Sequence, residues 1–202
     1  MAGILIVIIK IAFAFVALLL LAAYMTWMER RVFALVQVRY GPNRVGPAGL
    51  LQPIADGIKL MFKETVIPSQ ADKFVYFLAP AITLIPAMAA FAVVPFGDTV
   101  TLFGQKIDMI ISDVNVGILY IFALSGLGVY GVVLGAWASN SKYPLLGGLR
   151  ASAQLISYEL SLGMSLLGVV MISGSLSLKD IVAGQAGLPY IFLQPVGFLL
   201  FV

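Results

Sequence analysis

Residues 3–28, GILIVIIKIAFAFVALLLLAAYMTWM, carry a single charge, Lys10, near the start of the run. A helix needs about 20 consecutive apolar residues, each rising about 1.5 Å, to cross the hydrocarbon core of a bilayer. The stretch therefore reads as a transmembrane helix, with Lys10 placed where a long side chain can snorkel to the interface. It is too long for the apolar region of a cleaved signal peptide, and its charge cluster follows it rather than precedes it.

Outward from this run, further apolar stretches recur along the chain. A second span is expected over 74–96, kinked by Pro80 and Pro86 and closed by Pro95, because membrane helices tolerate proline when neighbours satisfy the freed carbonyls. A third is expected over 114–138 and a fourth over 151–173. A fifth starts near 189 and reaches Val202 inside the apolar run FLLFV, so the chain reads as incomplete at its C-terminus. The expected fold class is an all-α polytopic membrane helix bundle forming a single membrane domain. It has four full transmembrane helices, the start of a fifth over 189–202, and one interfacial helix.

Composition agrees with this pattern. Hydrophobic residues make up 61% of the chain and charged residues 10%, and the mean hydropathy is +1.06. Soluble domains are about 45–50% apolar. The net charge of +3 comes from cations clustered between apolar segments, with no basic face interleaved with aromatics. The excess therefore reads as a topology signal, and nucleic acid is not an expected partner. Cysteine and histidine are absent, which removes thiolate nucleophiles, Cys-ligated iron–sulfur clusters, His-ligated haem and imidazole triads. No metal site is expected. Proton chemistry here falls to carboxylates, Lys, Tyr and water.

The cations alternate between connections. Arg30, Arg31, Arg39, Arg44, Lys59, Lys63 and Lys73 lie between spans one and two, and Lys142 and Arg150 between three and four. The other two connections carry one cation each, Lys106 and Lys179. The positive-inside rule then puts loops 29–73 and 139–150 in the cytoplasm and the N-terminus outside. Within the first of these loops, residues 50–64 read as an amphipathic helix. Gln52, Asp56, Lys59 and Lys63 share one face, Leu51, Ile54, Ile58, Met61 and Phe62 cover the other, and Pro53 suits a first turn. A helix of this length beside membrane spans lies in the interface, and its plainest role is as an anchor with a solvated polar face.

Several constellations invite a functional reading. Gly126, Gly128 and Gly131 spell GxGxxG, but the dinucleotide fingerprint needs a strand before the turn, and these glycines sit inside an apolar helix. Gly131, Gly135 and Ser139 form instead a small-residue row suited to close helix packing. Glu159 lies in the fourth span, about 12–14 Å along the helix from Arg150. An intramembrane carboxylate is costly and points to function, here a proton relay; the structural alternative is neutralisation by Tyr158 or by a lysine on another helix. Glu29, Arg30 and Arg31 end the first span. On their own they read as an interfacial anchor, but the segment after them is stiff with Gly41, Pro42, Gly46, Pro47 and Gly49 and studded with Arg39, Asn43 and Arg44. A fixed backbone carrying several donors suits a polar headgroup or a docked protein better than a solvated loop.

Two long stretches, ERRVFALVQVRYGPNRVGPAGLLQPIADGIKLMFKE (29–64) and SNSKYPLLGGLRASAQLISYELSLG (139–163), closely resemble the quinone-site membrane subunits of proton-pumping NADH:quinone oxidoreductase, respiratory complex I. The chain looks closer to bacterial than to mitochondrial members. The resemblance implies that Glu29, Arg30, Arg39 and Asp56 lie by a quinone channel, with Lys59, Lys63 and Glu64 at the matching end of the interfacial helix. It also implies that Glu159 is the first intramembrane carboxylate of a proton path. Quinone would be the substrate and no cofactor would be bound covalently; FMN and iron–sulfur clusters would belong to partner subunits. The implied partners are the other membrane and peripheral subunits, quinone and membrane lipid, and the implied location is the bacterial inner membrane. Members of the family are longer, with about eight or nine spans and an acidic loop after the fifth. A membrane subunit of an energy-converting hydrogenase is the nearest rival, and the intact YGPNRVGP element favours the quinone enzyme. A secondary transporter would show an internal repeat, which is not found here. A structural membrane anchor would tolerate loss of the charge at Glu159.

Overall fold

A computed structural model of the chain describes residues 2–97, 99–102 and 105–202, and divides it into two compact units, 1–66 and 67–202. Among the described residues, helices dominate both units, and four are long and apolar enough to cross a membrane: Leu5–Val36, Lys73–Val93, Gly117–Ala138 and Lys142–Ser173. Most of their large apolar side chains face outward, among them Leu21 at 63% and Met164 at 69% exposure. In water that surface would drive aggregation, whereas in lipid it is the solvated face.

In the first unit, helix α1 (Ala2–Val36) is followed by a short 3₁₀ turn (Pro47–Gly49) and helix α2 (Gln52–Met61). The run expected to be loop from residue 29 is therefore helical as far as Val36. Nothing in FALV breaks the apolar helix, and the chain stops only at Val38, which holds φ at 51°. There the N–H groups of Val38 and Arg39 bond the carbonyls of Leu35 and Ala34 at 3.2 and 2.9 Å. This is a Schellman ending, in which a left-handed residue lets the chain turn back over the last helical turn. The α2 helix is shorter than the expected 50–64: the cap at Phe62 leaves Lys63 and Glu64 beyond its end.

In the second unit, helix α3 (Lys73–Ala90) is capped by Asp72, whose carboxylate accepts from Phe74 N and Val75 N. It carries Pro80 and Pro86 internally and passes into a 3₁₀ turn at Phe91–Val93. Strands β1 (Thr99–Leu102) and β2 (Gln105–Asp108) pair antiparallel, Thr99 opposite Asp108; hydropathy alone does not anticipate this ribbon. Helices α4 (Gly117–Ala138), α5 (Lys142–Ser173), α6 (Leu178–Gly184), α7 (Tyr190–Leu193) and α8 (Pro195–Phe201) complete the unit. The expected loop 139–150 shrinks to 139–141, because Pro144 sits in the first turn of α5, where its missing N–H costs nothing, and Lys142 and Arg150 are helical. The stretch 189–202 is not one continuous helix but is divided at Gln194–Pro195.

Helix α4 lies between α3 and α5. A Cβ at Gly131 would fall 2.0 Å from Thr83 Oγ1 and 2.7 Å from Ala79 O, and one at Gly148 would fall 2.2 Å from Ala136 Cβ. Glycine thus lets these backbones approach closely, as the small-residue row suggests. Thr83 Oγ1 reaches Gly128 O at 3.4 Å, and Tyr120 OH reaches Ala89 O at 3.4 Å, tying α3 to α4. A compact apolar cluster of Ile118, Ile181 and Tyr190 anchors the ends of α4, α6 and α7. Lys179 on α6 lies 3.5 Å from Asp108 at the end of β2 and 3.8 Å from Asp113.

Candidate functional site

The end of α1 and the turn after it build a polar cleft within the first unit. The Gly/Pro segment folds back on α1: Arg31 Nη2 donates to Ala48 O at 3.2 Å, and its guanidinium lies 4.7 Å from the centre of the Trp27 ring. Among the described residues, Trp27 Nε1 is buried without a hydrogen-bond partner. Gly49 holds φ at 74°, and a Cβ there would fall 2.2 Å from Pro42 O. The turn therefore requires glycine for both conformation and space. It delivers the chain into α2 with Gln52 and Asp56 facing Arg30.

Both oxygens of the Asp56 carboxylate are engaged. Oδ1 accepts from Gln52 Nε2 at 3.1 Å and Oδ2 accepts from Arg30 Nη1. Gln52 one turn before Asp56 is the i, i+4 arrangement in which side chains on a helix meet. The Gln52 hydrogen bond and then that of Arg30 hold the Asp56 carboxyl below the usual carboxylate range, against a smaller desolvation effect. The pair is partly exposed, with 52% of the Arg30 side chain and 30% of the Asp56 side chain open. This favours positioning over a large stabilising contribution.

A cleft of about 440 Å³ opens beside this pair, lined by Arg30, Arg39, Tyr40, Gly41, Pro42 and Gln52. Arg39 is steadied by Gln37, its Nε donating to Gln37 Oε1 at 2.6 Å. The wall thus presents guanidinium, phenol and amide donors on a stiff backbone, an arrangement suited to a ligand with acceptor oxygens.

Of the residues singled out from sequence, Arg30, Arg39 and Asp56 converge here. Lys59 lies one turn beyond Asp56 and acts on it only through its charge. Lys63 and Glu64 lie past the end of α2. Among the described residues, the side chains of Glu29, Lys63 and Glu64 make no hydrogen bond or ion pair. Gln52 was legible only as part of a polar stripe, and Arg31 only as one of a basic pair.

Glu159 lies on α5 in the second unit, about 25 Å from the helix start. It is half-buried, and its Oε1 accepts from Ser125 Oγ on α4. Among the described residues the partner is Ser125, not Tyr158 or a lysine. Nothing in the sequence pairs Ser125 with Glu159, because the contact depends on how α4 packs against α5.

The four long apolar helices define a polytopic α-helical membrane protein. A family model described as NADH dehydrogenase matches residues 9–202, and the chain belongs to that family. Among curated relatives, it is 55% identical over 201 residues to the NADH-quinone oxidoreductase H subunit numbered 2 in Syntrophobacter fumaroxidans, covering 100% of this chain and 61% of that protein. It is 56% identical over 193 residues to the NADH-quinone oxidoreductase H subunit numbered 1 in Geobacter metallireducens, covering 96% of this chain and 59% of the relative. With the NADH-quinone oxidoreductase H subunit of Thermomicrobium roseum it shares 54% identity over 195 residues, covering 92% and 57%. The chain therefore spans about three fifths of the length of these relatives.

Proposed function

We propose that this chain is part of the membrane subunit of an NADH:quinone oxidoreductase, where it forms one wall of a quinone-access channel and helps couple quinone reduction to proton translocation. The observation that carries this reading is the Asp56 carboxylate clamped by Gln52 and Arg30 at the edge of the donor-lined cleft. In this reading a quinone headgroup passes the cleft on its way to a redox centre carried by a partner protein of the complex. Its carbonyl oxygens meet Arg30, Arg39 and Tyr40, and its isoprenoid tail stays in lipid. Quinone reduction changes the charge near Asp56 and Arg30, and intramembrane carboxylates including Glu159 carry the effect onward. Glu29, Lys59, Lys63 and Glu64 shape the field at the channel mouth. The assembly sits in the bacterial inner membrane with the N-terminus outside, and FMN and iron–sulfur clusters belong to the partner subunits.

The test is steady-state kinetics of the assembled enzyme carrying Arg30→Met. The reading expects the KM for a short-chain quinone to rise about tenfold, the worth of one charge-assisted hydrogen bond. Unchanged quinone kinetics in fully assembled complex would count against the channel.

A further inference from the structure

Ser125 Oγ stands between two acceptors. It donates to Glu159 Oε1, and it also lies 3.0 Å from the carbonyl oxygen of Phe122 on its own helix. A serine hydroxyl has one proton to donate and two lone pairs that accept. Among the described residues Ser125 is the hydrogen-bond partner of Glu159, and the next residue is Gly126, where an added Cβ would lie 3.6 and 3.7 Å from the two carboxylate oxygens. A lysine or arginine in this place would bind the carboxylate and hold it charged. A hydroxyl adds no charge and can either donate or accept.

We infer that Ser125 is a positioning residue that lets Glu159 hold either charge state without losing its hydrogen bond. With Glu159 ionised, the Ser125 O–H donates to the carboxylate. With Glu159 protonated, the carboxyl O–H donates to Ser125 Oγ, and the serine proton turns onto Phe122 O. Ser125 keeps its own proton throughout; the transferred proton arrives and leaves on Glu159. Away from water an unmet polar group is costly, so a partner that serves both states lowers the barrier between them. Only a rotation of the hydroxyl is needed, which takes picoseconds to nanoseconds.

This inference rests on the proposed relay at Glu159, and the two can fail separately. The experiment compares Ser125→Ala, Ser125→Thr and Glu159→Gln in the assembled enzyme in proteoliposomes. It measures proton pumping and the infrared carboxyl stretch of Glu159, identified as the band that Glu159→Gln removes. Ser125→Ala is expected to slow pumping about tenfold and to move the band to higher wavenumber. Ser125→Thr, which restores a hydroxyl, should return both toward the wild type. If Glu159→Gln abolishes pumping while Ser125→Ala leaves rate and band unmoved, the role of Ser125 is refuted and the relay stands. If Glu159→Gln leaves pumping unchanged, the relay itself falls, and the inference with it.

Discussion

At the residue scale, Asp56 is the most informative group, because it is held by two side chains rather than one. Its carboxyl is kept below the usual carboxylate range first by Gln52 and then by Arg30. The folded chain therefore binds a proton at Asp56 less readily than an unfolded chain does. The stability this contributes is complete above the ordinary carboxylate range and is lost as pH falls through the lowered value of Asp56 itself. A carboxyl ¹³C titration of the protein in detergent should show Asp56 titrating low, and Gln52→Ala should move it up toward an ordinary aspartate. A midpoint that Gln52→Ala leaves in place would mean that the amide does not hold the carboxylate. The pairing was half legible in the sequence: the i, i+4 spacing puts Gln52 beside Asp56, but no spacing rule joins Asp56 to Arg30 on another helix.

At the scale of elements, two glycines stand where an added side chain would collide with a neighbouring backbone. Gly49 closes the turn that brings α2 back to Arg30, and a methyl group there meets Pro42 O at 2.2 Å in a left-handed conformation. Gly49→Ala should cost about 1–3 kcal/mol and loosen the Arg30–Asp56 pair, seen as faster hydrogen exchange across 52–61 with α1 unaffected. Gly131 sets the approach of α4 to α3. Gly131→Leu should separate the two helices and lower the thermal midpoint of the detergent-solubilised protein well below that of Gly128→Ala, where an added methyl meets nothing within 4 Å. Equal midpoints for the two variants would show that the close packing at Gly131 contributes little. The small-residue row was readable because glycine spacing is a local property. Helix ends were less so. Pro144, Gly147 and Gly148 suggest a loop by composition, yet the proline falls in the first turn of α5 and Gly148 is where Ala136 packs.

At the scale of the whole molecule, hydropathy and the distribution of cations were enough to recognise a multi-pass membrane protein, since bilayer thickness demands long apolar helices whatever their packing. The paired strands at 99–102 and 105–108 and the short helix α6 escaped that logic because they lie outside the expected spans, and the division of 189–202 into α7 and α8 at Gln194–Pro195 is a local break that hydropathy does not mark. The pairing of Glu159 with Ser125 escaped it too, since it belongs to tertiary packing. The charge pattern still makes a global prediction. Single-cysteine variants labelled in intact cells by a membrane-impermeant reagent should react from outside near Lys106 and Lys179. Variants at Arg44 and Asn140 should react only after permeabilisation. The reverse pattern would invert the topology.

The proposed function depends on entry of a quinone at the cleft lined by Arg30 and Arg39 beside Asp56. Photolabelling of the assembled enzyme with a photoreactive quinone analogue, followed by peptide mapping, tests it most directly. Labelling within residues 29–63 that excess quinone competes away is the predicted result; competed labelling confined to other parts of the protein, with 29–63 unlabelled, would contradict it.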